Sequence, residues 1–152
     1  MRSEKLSGLD PLVGEWVMAA SVAGQPMARS RAVFEWIEGG AFLVQHARAE
    51  ALDVTASPQW QANNPLPLVT MFGLDENSGT FTMLYADARG VFRVYACTIT
   101  DQEWKIWGQA GPDFHQRFSA TIGGTVIEGA WESSRDGVAW EHDFAVRYTK
   151  AG

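Results

Sequence analysis

Apolar and polar residues alternate with a period of two along most of the chain. That period is typical of β-strands with one buried and one exposed face. No stretch shows the 3.6-residue stripe of an amphipathic helix. The alternation predicts about ten strands, over residues 12–20, 31–38, 41–49, 68–74, 80–86, 91–100, 103–108, 114–122, 125–132 and 138–150.

Turn residues separate these strands at short intervals. The glycine pairs Gly39-Gly40 and Gly123-Gly124 each lie between two alternating segments, where a two-residue hairpin turn needs positive φ. Sequential hairpins form a meander, and closing a meander into a barrel removes its exposed edges. The sequence therefore predicts an all-β fold, a single antiparallel up-and-down β-barrel of about ten strands, wide enough for one small ligand.

The length of 152 residues is that of one domain, so we expect residues 1–152 to form a single barrel. Residues 1–10 precede the first strand as an N-terminal extension. Residues 50–67 contain Pro58, Pro65 and Pro67 and show no sustained period. A patternless connection of this length is usually functional, and we expect it to act as a portal or lid.

The charge balance narrows the classes of partner. Eighteen acidic and twelve basic side chains give a net charge of −6, which argues against a protein that follows nucleic-acid phosphates. No apolar run approaches the roughly 20 residues that cross a bilayer, and residues 1–10 lack a signal peptide's apolar stretch. With Cys97 as the single cysteine, we expect a cytoplasmic protein that binds neither nucleic acid nor membrane.

The predicted strand at residues 91–100 places Arg93 and Tyr95 on one face, although both of its faces are largely apolar. A guanidinium holds a carboxylate through two parallel hydrogen bonds, and a phenol adds a third donor. Because an unpaired buried charge is costly, we expect an anionic group to meet Arg93 inside the barrel. The sequence leaves open whether a ligand or an internal glutamate supplies it, and a one-residue bulge would turn Arg93 outward.

Alternation on the last predicted strand places His142 and Phe144 on its inner face. They join aromatic and polar residues of other strands in the expected lining of a ligand cavity. The ten expected lining residues are Phe34, Trp36, His46, Tyr85, Arg93, Tyr95, Gln116, Trp131, His142 and Phe144. We therefore expect an intracellular binding protein, monomeric or homodimeric, for a small hydrophobic ligand with a carboxylate or another oxygen acceptor, and neither a metal nor another cofactor.

Gly14-Glu15-Trp16, near the start of the first strand, resembles the Gly-x-Trp signature of the calycin superfamily, which includes lipocalins and fatty-acid-binding proteins. The resemblance implies a structural role for Trp16 as a plug at one end of the barrel. It also implies that a basic residue of the last strand covers the plug, and Arg147 is the position expected to do so.

A longer resemblance extends over most of the chain. It is carried by Phe34-Glu35-Trp36, Gly39 to Gln45, Tyr85 to Val91, Arg93-Val94-Tyr95, Gln116-Arg117-Phe118, Gly129 to Ser133, Asp136-Gly137 and Trp140 to Phe144. Together these segments resemble the uncharacterised bacterial family catalogued as domain of unknown function 1579, which is considered lipocalin-like. The resemblance implies a calycin-like barrel and no particular reaction.

Two narrower resemblances suggest ligands. Arg93-Val94-Tyr95 is similar to the Arg-x-Tyr pair with which fatty-acid-binding proteins hold a carboxylate, although their pair lies nearer the end of the chain. The segment from His142 to Arg147 resembles the haem-ligating stretch of nitrobindins, which implies haem on His142 as an alternative cofactor. The segment from Gly14 to Met18 lacks the further Gly-x-Gly of that family.

Catalysis is the remaining alternative. His46, His115 and His142 are scattered singly, without the spacing of a metal site. Barrels of this kind also serve as cyclases and isomerases, in which an apolar cavity folds the substrate and polar groups polarise it. Tyr85, Arg93, Tyr95 and His142 are the proton donors or oxyanion partners that such a reaction would use. No nucleophile or carboxylate pair stands out, so the sequence favours binding over catalysis.

Overall fold

A computed structural model describes residues 4–52 and 66–151, with backbone alone at 25–28 and 50–52. Ten strands follow one another along the chain. They are β1 (Gly14–Val22), β2 (Gln25–Ile37), β3 (Phe42–Leu52), β4 (Leu68–Leu74), β5 (Phe81–Asp87), β6 (Phe92–Ile99), β7 (Glu103–Gly111), β8 (Phe114–Ile122), β9 (Val126–Ser134) and β10 (Glu141–Lys150).

Each strand pairs antiparallel with its neighbours in sequence, and β1 also pairs with β10, so the sheet closes into a barrel. This confirms the predicted all-β up-and-down barrel of ten strands. The closing register runs from Trp16↔Lys150 to Ser21↔Ala145. Closure gives every strand a partner on both sides and removes the exposed edges of an open sheet.

The N-terminal segment differs from the prediction. A 3-10 helix spans Glu4–Leu12, and the first strand begins only at Gly14. Leu6, Leu9 and Leu12 are buried, because a spacing of three residues places them on one side of a helix with three residues per turn. No helix of the described ranges is both long and apolar enough to span a bilayer.

The 3-10 helix lies at the end of the barrel where β1, β5 and β7 begin, which we call the closed end. A Cβ on Gly8 would lie 3.6 Å from the Phe81 ring at the start of β5. Trp16 is 1% exposed there, and its Nε1 donates to the Leu12 carbonyl at 2.9 Å. Trp16 is therefore a buried residue of the closed end, and its role as a plug stays a prediction.

Lys150, not Arg147, covers Trp16. The Lys150 Nζ lies 4.5 Å from the centre of the Trp16 ring and donates to the Val13 carbonyl at 2.8 Å. Arg147 lies on the outer face and pairs with Glu128 at 3.2 Å. The expectation for Arg147 was wrong because Trp16 lies opposite Lys150 in the β1–β10 register.

Aromatic side chains fill the barrel next to this end. The Trp104 ring lies 5.1 to 6.3 Å from four other rings, those of Phe34, Phe72, Phe118 and Tyr148. All five are buried. The core therefore occupies the part of the barrel nearest the closed end.

The opposite end, where β1, β3, β5, β7 and β9 finish, is called the mouth. The predicted lid over residues 50–67 connects β3 to β4 at the mouth. Its residues 53–65 lie outside the described residues, so the lid stays a prediction.

Candidate functional site

A cavity of about 370 Å³ occupies the barrel between the aromatic core and the mouth. The side chains around it are mainly apolar, with polar groups near the mouth and at buried positions. The lining consists of Met18, Ala20, Ser30, Gln45, Leu66, Leu68, Thr70, Met83, Tyr85, Arg89, Arg93, Tyr95, Trp104, Ile106, Phe114, Gln116, Phe118, Trp131, Asp143, Phe144, Val146 and Tyr148.

Arg93, near the start of β6, points into this cavity. Its Nη1 donates to the Gln116 Oε1 at 3.2 Å, and its guanidinium carbon lies 5.5 Å from the centre of the Phe114 ring. Within residues 4–52 and 66–151, no carboxylate pairs with Arg93. The described partners of this partly buried cation are therefore neutral, and its guanidinium retains N–H donors for an anion.

Tyr95 and Gln116 line the cavity next to Arg93. The Tyr95 hydroxyl donates to the Gln116 Oε1 at 2.5 Å, so this amide oxygen accepts from both Tyr95 and Arg93. Burial raises the pKa of Tyr95, although Arg93 lowers it in part. The phenol therefore remains a neutral hydrogen-bonding group at ordinary pH, and its ring packs 5.8 Å from that of Trp131.

A second polar group at the mouth joins Tyr85, Asp87 and Arg89. The Asp87 carboxylate accepts from the Tyr85 hydroxyl at 2.7 Å and from Arg89 Nη2 at 2.7 Å. Burial alone would raise the pKa of Asp87, but the hydrogen bonds from Arg89 and Tyr85 outweigh it, and that pKa lies below its usual value. Asp87 thus stays ionised and fixes Arg89 beside the cavity.

Sequence reasoning treated residues 87–90 only as a turn and missed Asp87 and Arg89. The spacing Tyr85-x-Asp87-x-Arg89 carried a signal, because residues two apart on a strand share a face. The alternation did not reveal Arg89, because β5 ends at Asp87 and Arg89 lies in the following turn.

Asp143 lines the mouth because β10 contains an irregularity. The pairing of β10 with β9 shifts between His142 and Phe144, as in a β-bulge. The extra residue, Asp143, borders the cavity, and burial raises its pKa, with a lesser lowering effect from His142. In a closed ring of ten strands, β10 lies five strands from β5, so Asp143 and Arg89 belong to opposite sides of the mouth.

Apart from Tyr95 and Gln116, five buried polar side chains of the lining form what we call the interior polar set: Ser30, Gln45, Thr70, Trp104 and Tyr148. None is more than 6% exposed. The Tyr148 hydroxyl donates to Gln45 Oε1 at 3.3 Å, and Gln45 Nε2 donates to Thr70 Oγ1 at 3.0 Å. Ser30 Oγ has no hydrogen-bond partner among the residues that the structure describes. The Trp104 indole N–H is directed at the Cys97 thiol, which is a weak acceptor.

The structure brings six of the ten expected lining residues together around the cavity. They are Tyr85, Arg93, Tyr95, Gln116, Trp131 and Phe144. Their part in binding a ligand stays a prediction, since their placement alone does not test it.

The other four expected lining residues lie elsewhere. Phe34 is packed in the aromatic core, and Trp36 packs against that core below the cavity. His46 is exposed on the outer face, because its neighbour Gln45 is the residue of β3 that points inward. His142 is exposed because the bulge at Asp143 shifts the alternation of β10 by one residue.

These positions decide against haem on His142. The residue is exposed on the outer face, and neither His46 nor His115 lines the cavity. The donor set of the cavity therefore does not fit the histidine-ligated haem that the nitrobindin resemblance implied. His142 is also out of position as a proton donor to a substrate inside. No cluster of three or more metal-ligating side chains occurs in the two ranges that the structure describes.

Comparisons with known proteins support the fold and no more. No family model matches the chain, and no curated protein matches it, so membership of the family of unknown function stays unconfirmed. The crystal structure of Rv2717c from M. tuberculosis is similar over 100% of both chains, with a TM-score of 0.63 and 16% identity. At that identity the likeness shows a shared fold alone.

A second solved structure is a protein of unknown function from the DUF3598 family of Nostoc punctiforme. It covers 99% of this chain and 100% of its own, at 10% identity and a TM-score of 0.26. A likeness this weak carries no argument.

Proposed function

We propose that this protein binds a small hydrophobic carboxylic acid inside the barrel, with the carboxylate on Arg93. The observation that carries the proposal is the environment of Arg93, which points into the cavity and donates to a neutral amide oxygen. A carboxylate of a ligand would accept hydrogen bonds from the remaining N–H donors. Such charge-assisted hydrogen bonds are stronger than those between neutral groups.

The neighbouring donors support the same site. Tyr95 and Gln116 are already joined to Arg93 through one amide oxygen, so the guanidinium has a defined orientation. Arg89, held by Asp87, adds a second cation beside the cavity. Because Asp87 balances one of the two arginines, this side of the mouth keeps a net positive charge, which favours an anionic head group there.

The walls set the size and character of the rest of the ligand. The cavity of about 370 Å³ lies at the lower end of the roughly 300–1,000 Å³ of typical small-molecule sites. Trp131 stacks on Phe144 with ring centres 6.5 Å apart, and both line the cavity with Phe118 and Met83. Aromatic and aliphatic walls of this kind favour an apolar body by removing its surface from water.

Titration with decanoic acid tests the proposal. The readout is tryptophan fluorescence, because two tryptophans, Trp104 and Trp131, line the cavity. Replacing Arg93 with glutamine (Arg93→Gln) removes the charge and keeps a polar side chain. We expect the affinity to fall between about tenfold and hundredfold, the range for hydrogen bonds to a charged group. Arg147→Gln, an outer-face change at a residue paired with Glu128, is the matched control and leaves the affinity unchanged.

The methyl ester of decanoic acid separates the carboxylate from the chain. It should bind wild-type protein and the Arg93→Gln variant equally, because it offers no charge to the guanidinium. Equal affinity of decanoic acid itself for wild type and Arg93→Gln would contradict the proposed role of Arg93.

A further inference from the structure

We propose that the outer face of β4, β5 and β6 binds a second copy of this chain, so that the protein forms a reversible homodimer. This inference concerns the outside of the barrel and is independent of the proposed ligand. It is carried by a continuous apolar surface on three neighbouring strands of a barrel whose other side carries charged residues.

The strand register shows which residues form this surface, which we call the apolar outer face. Inward residues such as Thr70, Tyr85 and Arg93 line the cavity, so the residues that alternate with them point outward. The pairings of β4 with β5 and of β5 with β6 contain no register shift. The outward positions form three rows: Val69, Ala86 and Phe92; Met71, Leu84 and Val94; and Gly73, Thr82 and Ala96.

The apolar outer face contains no charged residue. Among its positions in the three rows, Thr82 alone has a polar side chain. Phe92 is 66% exposed and Val94 is 55% exposed, so large apolar side chains meet water here. Soluble monomers seldom expose a continuous apolar patch of more than a few hundred Å², and larger patches commonly mark an interaction site.

Aromatic rings extend this face onto both flanking strands. On β3, the Phe42 ring lies over Gly73, since a Cβ at Gly73 would lie 3.7 Å from the Phe42 Cδ1. On β7, Trp107 lies opposite Ala96 and is exposed. The curvature of the barrel turns β3 and β7 away from the centre of the face, and these long side chains offset that curvature.

The dimensions of the face match a small, reversible interface. Strands lie about 4.8 Å apart, and residues two apart on a strand lie about 6.8 Å apart. Five strands and three rows therefore cover about 24 Å by about 20 Å, or about 480 Å² on each copy. Two copies would bury about 1,000 Å² in total, the lower limit of a specific interface, so we expect a dissociation constant in the micromolar range.

Charge favours a second copy over a different partner. The net charge of the chain is −6, so two copies repel each other where charged faces meet. Ion pairs occupy the outer faces of β1 with β2, β8 with β9, and β9 with β10. Contact through the apolar outer face brings no charged residues of the two copies together. A different partner of an acidic protein is commonly steered by complementary charges, which this face does not offer.

Barrel closure determines how two copies meet. Every strand has a partner on both sides, so a second copy cannot add a strand to the sheet and instead packs its side chains against this face. In a dimer with two-fold symmetry, both copies use the same patch. One substitution in the patch therefore changes the interface twice.

Sedimentation velocity over a range of protein concentrations tests the proposal. We expect wild-type protein to change from monomer to dimer as its concentration rises through the micromolar range. Val94→Glu places a carboxylate on each copy, and we expect it to raise the dissociation constant at least about a hundredfold, because burying an unpaired charge is costly. Val138→Glu, the same exchange at an 83% exposed valine between β9 and β10, is the matched control and leaves the constant unchanged.

A second variant tests the face without introducing a charge. Phe92→Thr combined with Val94→Thr removes apolar area and keeps a residue type that suits strands. We expect this variant to raise the dissociation constant at least about tenfold, because less apolar surface leaves water on association. Circular dichroism should show the same strand content as wild type in all three variants.

Three results would overturn the proposal. The first is wild-type protein that stays monomeric at about 1 mM. The second is a dimer that persists in both Val94→Glu and the double threonine variant, because another face would then hold it. The third is a monomer that co-sediments with neutral phosphatidylcholine vesicles and loses this binding in Val94→Glu, because the apolar outer face would then contact a lipid surface.

Discussion

Lys150 shows how one side chain can close the end of a barrel. Its amine lies over the Trp16 ring and donates to the Val13 carbonyl. The approach requires glycine at position 14, where φ is +129° and a Cβ would lie 2.6 Å from the Lys150 Nζ. The Gly-x-Trp pattern thus has a steric cause in this protein: the glycine leaves room for the cation that covers the tryptophan.

Lys150→Met tests the contribution of this amine to stability. Methionine keeps an apolar chain of similar length but removes the cation–π contact and the hydrogen bond to Val13. We expect the free energy of unfolding in urea to fall by about 1–2 kcal/mol. Lys105→Met, at an exposed lysine paired with Glu103, serves as the control and should change it by less than about 0.5 kcal/mol. Equal effects of the two substitutions would contradict a special role for Lys150.

At the scale of the strand, β8 and β9 approach each other unusually closely at Gly129. A Cβ at this position would lie 2.6 Å from both the Ala120 Cβ and the Ser119 carbonyl oxygen. Glycine within a strand commonly marks such a close approach of backbones. The pair Gly129 and Ala120 therefore permits the local spacing of the wall below Trp131.

Gly129→Ala should disturb that spacing. The added methyl group has no room without movement of a strand, and overpacking of this kind costs about 1–3 kcal/mol. Gly124→Ala is the matched control, since a Cβ at Gly124 meets no atom within 4 Å. Urea unfolding followed by circular dichroism measures both variants. If both variants unfold at the same urea concentration, β8 and β9 move apart at little cost in free energy, and Gly129 is not required for their spacing.

The fold could be predicted from sequence because strand alternation and turn residues are local properties. The inward direction of Arg93 and Tyr95 followed from that alternation, since β6 contains no bulge. The direction of His142 did not, because the bulge at Asp143 depends on pairing with β9. Gln45 was missed as an inward residue for a similar reason: its partners Thr70 and Tyr148 are distant in sequence.

At the scale of the whole molecule, the cavity contains every tyrosine of the chain. Tyr85, Tyr95 and Tyr148 all line it, and the sequence has three tyrosines. Burial is the largest cause of a raised pKa in each. The folded protein therefore holds these phenolic protons more tightly than the unfolded chain, whose tyrosines titrate near their ordinary pKa of 10.0.

Linkage then gives the sign of the pH dependence. The stability that these phenols contribute is complete below the ordinary tyrosine pKa and is lost as pH rises through it toward the raised folded values. We expect phenolate absorbance to appear together with the loss of the circular dichroism signal, in one cooperative alkaline transition. Gradual ionisation near pH 10 with the barrel intact would show that the phenols are open to solvent.

The pairing of β1 with β10 bears on how the chain is made. The second partner of β1, the segment from Ala145 to Lys150, is synthesised more than a hundred residues after β1. At roughly 5–20 residues per second, the unpaired amides of β1 wait on the order of ten seconds for that partner. Until the segment from Ala145 to Lys150 is made, β1 lacks this partner, and an unpaired strand edge can pair with other chains. The same segment brings Lys150 to Trp16. A chain that ended before Ala145 would therefore lack both the β1–β10 pairing and the cation that covers Trp16.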